Sequence, residues 1–329
     1  TAFDWYNRTT SDILTTANLP ATLGADAPYE NMGTIQTKGW ELAIDYRHTF
    51  KNGLHFGVTA SVADDKTEVT KWTYNTKIPS YGATGWWDKS AYKEGMVLGD
   101  IWGLQFDRFL TEDDFNADGS LKAGLPDQTK VFPAGYQFAP GDVLYKDLDN
   151  NGEIVKQTNT NDKGDLSVIG NALPRLQFGL NLDAAWKGFD ISMFFQGVAK
   201  RKLWAAGNQV LPGFTTGEPF YKGAEDYWTP ENTDAFYPRP MDYKQSASGN
   251  YSVNDRYLLN MAYLRLKTFT VGYSLPKVWL SKFKVQGLRV YFTGENLFTI
   301  DGVKPAIDPE IGIRTASGKS DQRNFGRSY

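Results

Sequence analysis

The sequence predicts an all-β protein, part of a large antiparallel transmembrane β-barrel with short turns at one rim and long loops at the other. Three observations carry this expectation. Apolar and polar residues alternate with period two in paired runs, the connections between runs are either minimal or very long, and aromatic residues make up 15% of the 329-residue chain. Successive side chains of a strand point to opposite faces, so a wall between lipid and a wet lumen reads as alternation.

The first paired runs begin at Gly39. Trp40, Leu42, Ile44, Tyr46 and Phe50 alternate with Glu41, Ala43, Asp45, Arg47 and Thr49. Lys51-Asn52-Gly53 is a turn signal, and Leu54, Phe56, Val58, Ala60 and Val62 then alternate with His55, Gly57, Thr59, Ser61 and Ala63. A second hairpin runs from Leu176 through Trp186, turns at Lys187-Gly188, and returns from Phe189 to Phe195, with Phe194 breaking its polar face. A third is fainter: Phe269, Val271, Tyr273 and Leu275 lead to Pro276, and Leu288, Val290 and Phe292 follow. Each run has roughly the 9 to 11 residues that a tilted membrane strand requires.

Connection lengths separate a membrane barrel from a soluble sandwich. The segments from about 64 to 174 and 198 to 255 are rich in Gly, Pro, Asn, Asp, Trp and Tyr and lack helical periodicity. A soluble domain rarely carries such long connections without helices of its own. Trp40, Phe50, Trp186, Phe189 and Tyr273 lie near strand ends on the apolar faces, where a ring sits at headgroup level. Alternation alone leaves a second architecture open, a large soluble sheet with one solvated face.

Composition narrows the partners. Lys plus Arg number 35 and Asp plus Glu 38, a net charge of -3, with no basic block to hold a phosphate backbone, so nucleic acid is not an expected partner. The absence of cysteine excludes disulfides and thiolate metal sites. No apolar run approaches the roughly 20 residues of a transmembrane helix. The opening Thr1-Ala2-Phe3 shows neither initiator Met nor signal peptide, which suggests processing or an internal fragment.

The sharpest local motif is Asp147-Leu148-Asp149-Asn150-Asn151-Gly152-Glu153-Ile154, with the D-x-D-x-N-G spacing of a calcium loop. Asp147, Asp149 and Asn151 offer oxygens at the first, third and fifth places, Gly152 permits the turn, and the Glu153 carbonyl adds a ligand. The twelfth place is Thr158 instead of a bidentate carboxylate, so completion falls to Asp162 or Asp165. The other reading is an Asx-rich surface turn. Catalytic constellations are missing: His48 and His55 flank the first turn without a nucleophile motif, and no spacing singles out a carboxylate pair. An enzyme is therefore not expected. The aromatic loops supply candidates for contact with substrate or a lid protein, chiefly Trp86, Trp87, Trp102, Trp204 and Trp228, together with Tyr81, Tyr92 and Tyr221. The same rings could instead pack the loops against one another.

Five stretches, in order, resemble the SusC/RagA-type TonB-dependent transporters of Bacteroidetes: Asn31-Met32-Gly33 through Gly39-Trp40-Glu41-Leu42; Gly141 through Asp147; Trp228 through Asn232 with Tyr237-Pro238-Arg239; Tyr263 through Lys267 with Gly272 through Pro276; and Arg289-Val290-Tyr291 through Phe298 to Asp308-Pro309-Glu310. The resemblance spans nearly the whole chain. It implies a 22-stranded outer-membrane barrel with an internal plug, a SusD-like surface lipoprotein as partner, energy from a TonB complex, and import of a glycan or peptide by gated passage. Residues 1–329 would then be a partial barrel lacking plug, TonB box and closing strand, with roughly eight strands in outer-membrane lipid. The alternative is a secreted calcium-dependent carbohydrate-binding β protein.

Overall fold

The computed structural model describes residues 1–16, 28–73, 93–156, 162–205, 210–213, 224–241, 249–303 and 307–310. Its strands are, in chain order, β1 (Ala2–Thr16), β2 (Tyr29–Thr49), β3 (His55–Trp72), β4 (Asp100–Gly103), β5 (Phe106–Phe109), β6 (Val143–Tyr145), β7 (Ser167–Asn171), β8 (Arg175–Trp186), β9 (Phe189–Lys200), β10 (Lys202–Leu203), β11 (Leu259–Asn260), β12 (Tyr263–Ser274) and β13 (Arg289–Asp301). Seven of them form one antiparallel sheet in the order β1-β2-β3-β8-β9-β12-β13, and the short strands pair as β4-β7, β5-β6 and β10-β11 within the long connections. The wall is thus a meander of seven strands among the described residues, where the sequence suggested roughly eight.

The turns follow the local chemistry. Gly53 adopts φ 82°, Phe50 N–H donates to the Leu54 carbonyl at 2.8 Å, and Leu54 N–H donates to Asn52 Oδ1 at 3.0 Å. Lys187 and Gly188 both take positive φ, 50° and 91°, between the directly opposed Trp186 and Phe189. Such a two-residue turn matches the twist of its strands. The third connection is longer than minimal: Ser274 faces Arg289, Leu275 N–H donates to the Leu288 carbonyl at 2.9 Å, and between them lie helix α1 (Lys277–Leu280) and a 3-10 turn, Ser281–Phe283.

Register confirms the two faces. One row crosses the wall as Tyr46, Val58, Leu182, Met193, Phe269 and Gly294; the adjacent row, on the other face, is Asp45, Thr59, Asn181, Phe194, Thr268 and Glu295. The apolar face ends at both heights. At the short-turn rim it meets Phe50, Trp186, Phe189 and Tyr273, the last two with ring centroids 4.4 Å apart. At the other end Trp5 lies directly opposite Trp40, and Trp40 opposite Asp64, which Arg175 binds at 2.7 Å. Beyond that row the same face carries Asn7, Lys38 and Lys66, then Thr9, Gln36 and Glu68. From Trp40 to Phe50 is about ten residues, roughly 33 Å of strand. At a tilt near 40° this gives a band about 25 Å tall, the hydrocarbon height that a membrane barrel presents.

Two strand extents differ from the sequence reading. The strand β2 starts at Tyr29 and β3 runs to Trp72, both well beyond the Gly39 and Ala63 limits, and β1 was not anticipated at all. Above the Trp5–Trp40 row the outward face turns polar while the other packs Thr37, Val69 and Trp72 against the loop body, so alternation fades although the backbone ladder continues.

Buried hydrophobic packing concentrates in the connections. Leu104, Phe109, Val143, Tyr145, Ile154 and Leu166 from the β3–β8 connection pack with Trp228 and Ala235 from the β9–β12 connection. A second cluster joins Leu211, Tyr237, Tyr251, Tyr257 and Met261 to Val303 and Ile307, which follow β13. Within the described residues the long loops therefore form a packed body on one rim of the wall.

Candidate functional site

The loop body is tied together at Asp142. Its buried carboxylate accepts hydrogen bonds from the Tyr136 hydroxyl at 2.9 Å, Ala139 N–H at 2.9 Å, Arg239 Nε at 2.8 Å and Asn250 Nδ2 at 3.0 Å. Asn250 Oδ1 in turn accepts from Val143 N–H at 2.8 Å. Charge and donors converge here from three distant segments, and the Tyr136 hydroxyl is pushed well above its ordinary pKa, first by burial and then by Asp142. The preceding Gly141 has φ +89°, and a Cβ there would stand 2.5 Å from the Trp228 ring. Glycine is required both for the backbone and for that close approach. A comparable link joins Arg265 on β12 to Asp308 at 2.8 Å and Glu310 at 2.9 Å, with Lys267 also on Glu310 at 3.0 Å.

The aspartate loop sits on this body. Asp147, Asp149 and Asp165 each offer one carboxylate oxygen, and these oxygens lie within 4.8 Å of one another. Oxygens bound to one calcium at about 2.3–2.6 Å can be separated by up to roughly 5 Å, so the three fit a single ion. Asp165, fully buried, accepts from Leu148 N–H and Val155 N–H, both at 2.8 Å, and so ties the two ends of the loop. Asp147 accepts from Gly152 N–H at 2.8 Å, and Gly152 takes φ +85°. The Asp149 carboxyl is pushed above its usual range, by desolvation first and then by the charge of Asp165. The Asn151 amide oxygen accepts from Glu153 N–H at 2.7 Å, and the Glu153 carboxylate pairs with Lys130, leaving its carbonyl for any ion. Asp162 instead accepts from Gly164 N–H at 2.9 Å.

The tryptophan candidates divide. Trp228 is only 7% exposed and lies inside the first core cluster; Trp102 packs partly buried against the same cluster, and Trp204 against the second. Of the two readings offered for these rings, Trp228 takes the packing one in this structure, its ring holding the two connections together over Gly141. The indole N–H groups of Trp102 and Trp228 are buried without a hydrogen-bond partner. Trp86 and Trp87, with Tyr81, Tyr92 and Tyr221, lie outside the described residues, as does Thr158. The Asp142 hub was missed in sequence, although both Gly141-Asp142 and Tyr237-Pro238-Arg239 fall within the resembling stretches. Nothing local says that they meet.

No protein-family model matches the chain. It is 27% identical over its whole length to TonB-dependent receptor P3 of Formosa agariphila, covering 30% of that protein. It is 22% identical to TonB-dependent receptor SusC of Bacteroides thetaiotaomicron, over 94% of the chain and 27% of that protein. The chain therefore spans about three-tenths of the length of these relatives. Among solved structures, the RagAB peptide transporter aligns with a TM-score of 0.65 over 94% of this chain and 30% of that one, at 19% identity. That likeness shows a shared fold.

Proposed function

We propose that the chain belongs with the SusC/RagA-type TonB-dependent receptors of the outer membrane and forms wall and outer loops of an importer for glycans or peptides. The observation that carries the reading is the pair of adjacent rows, one apolar and one polar across the wall, capped on one rim by a packed loop body. The polar row lines a wet passage, and its work is gated passage without bond chemistry. A SusD-like lipoprotein docks over the loop body, and a TonB complex supplies energy through other parts of the receptor. The test is to isolate the receptor from outer membranes and compare its gel mobility with and without heating, together with uptake of labelled glycan and peptide. Solubility without detergent and unchanged mobility on heating would overturn the proposal.

Calcium binding at Asp147, Asp149 and Asp165, with Asn151 and the Glu153 carbonyl, is part of this reading as a structural brace of the loop body. The convergence of three carboxylate oxygens supports it. Like charges at this spacing repel, and a divalent cation relieves that repulsion. Added calcium should slow amide exchange across 147–155, and Asp165→Asn should remove the response. No change with excess calcium leaves the Asx-turn reading. A secreted carbohydrate-binding protein would use the same loop, but it gives no reason for an apolar band about 25 Å tall.

A further inference from the structure

Among the described residues, the long connection at the short-turn rim differs chemically from the two minimal turns there. Between Leu275 and Leu288 the sequence carries Lys277, Lys282 and Lys284 and no acidic residue. None of these lysines is in an ion pair among the described residues. Val278 is 74% and Trp279 58% exposed, while Leu280 is buried at 5% and pins the turn. The connection is continuous with the apolar band: Leu275 N–H bonds the Leu288 carbonyl one row below Ser274 and Arg289, so Leu288 prolongs the outward column of Val290 and Phe292. Its neighbour is the Trp186–Phe189 turn, for Ser274 N–H donates to the Gly188 carbonyl at 2.7 Å and Phe189 packs on Tyr273.

We propose that residues 275–288 are an interfacial membrane anchor, in which Val278, Trp279 and Leu288 enter the headgroup region of the periplasmic leaflet and Lys277, Lys282 and Lys284 bind anionic phospholipid. Exposed aliphatic and indole groups flanked by lysines, without acids, are what a lipid surface with negative headgroups recognises. A solvated turn would gain nothing from them, and the two-residue turn beside it shows that this rim does not require the length. The inference rests on the barrel reading above.

The experiment places single nitroxides through Val278→Cys, Trp279→Cys and Gln286→Cys in the complete receptor folded into vesicles, with Leu182→Cys as a mid-wall control. The vesicles are phosphatidylethanolamine with phosphatidylglycerol, or with phosphatidylcholine in its place, and collision with oxygen is compared with collision with a water-soluble nickel chelate. Oxygen should dominate at 278 and 279 and the chelate at 286, and immersion at 279 should be deeper with phosphatidylglycerol. Changing the three lysines to Gln should abolish that lipid dependence. Chelate dominance at 278 and 279 with oxygen dominance at 182 overturns the anchor alone. Chelate dominance at 182 overturns the barrel reading itself. Shielding of 278 and 279 from both probes would mean a protein partner and also overturn the proposal.

Discussion

Leu182→Arg and Asn181→Arg are neighbouring changes with opposite expected outcomes. Leu182 stands in the apolar row between Val58 and Met193, whereas Asn181 stands in the polar row between Thr59 and Phe194. The aromatic rim at Trp186 is about four residues below Leu182, and Leu176, whose N–H bonds Asp64 at 3.0 Å, is about six above. With roughly 3.3 Å per residue and a tilt near 40°, Leu182 sits within a few ångströms of mid-depth. Arginine at the lipid-facing midplane costs about 2–4 kcal/mol, roughly a 30- to 700-fold shift in the folding equilibrium, while the lumen position costs close to nothing. The assay is the urea dependence of the heat-modifiable band of receptor folded into vesicles. Equal losses for the two variants, or a loss only for Asn181→Arg, would refute the assignment of faces.

Three further outcomes follow from the loop body. Asp142→Ala removes the acceptor of four donors and leaves Arg239 partly buried without its counter-charge, so local stability should fall by about 3 kcal/mol, read as faster amide exchange around 139–145, at 239–241 and at 249–250. Trp228→Ala should cost the loop body roughly 3–5 kcal/mol by cavity formation, seen in limited proteolysis; intact loops with lost uptake would restore Trp228 to substrate contact. Asp114, held by Arg108 at 2.6 Å, has its carboxyl lowered to about 2 from 3.8. A depressed folded pKa means the stabilisation is complete above about pH 4 and is lost as pH falls through 2, so exchange at 108–115 should accelerate in that window. The effect is up to about 2 kcal/mol, reduced because Arg108 is partly exposed; exchange unchanged between pH 4 and 2 would count against the pairing.

How much of this was legible in the sequence depended on how local each signal is. The hairpins around Lys51-Asn52-Gly53 and Lys187-Gly188 needed only alternation and a turn dipeptide, both written within about twenty residues, and lipid on one face forces the alternation. The strand β1 and the upper halves of β2 and β3 lacked that force, since above the Trp5–Trp40 row the outward face is polar and the other meets the loop body at Thr37 and Val69. The aspartate loop showed its spacing for residues 147–153, but only the fold could choose Asp165 over Asp162 as the third carboxylate, through the N–H groups of Leu148 and Val155. Trp228 was visible as an aromatic loop residue, and whether it faced solvent or a core depended on Gly141, far away in sequence. The class of wall, its two faces and its short rim can be read from the chain alone, because each is set between neighbours on one strand. The loop body, the Asp142 hub and the Arg265–Asp308 pair emerge only in the folded chain, because those partners are brought together by the pairing of strands far apart in the sequence.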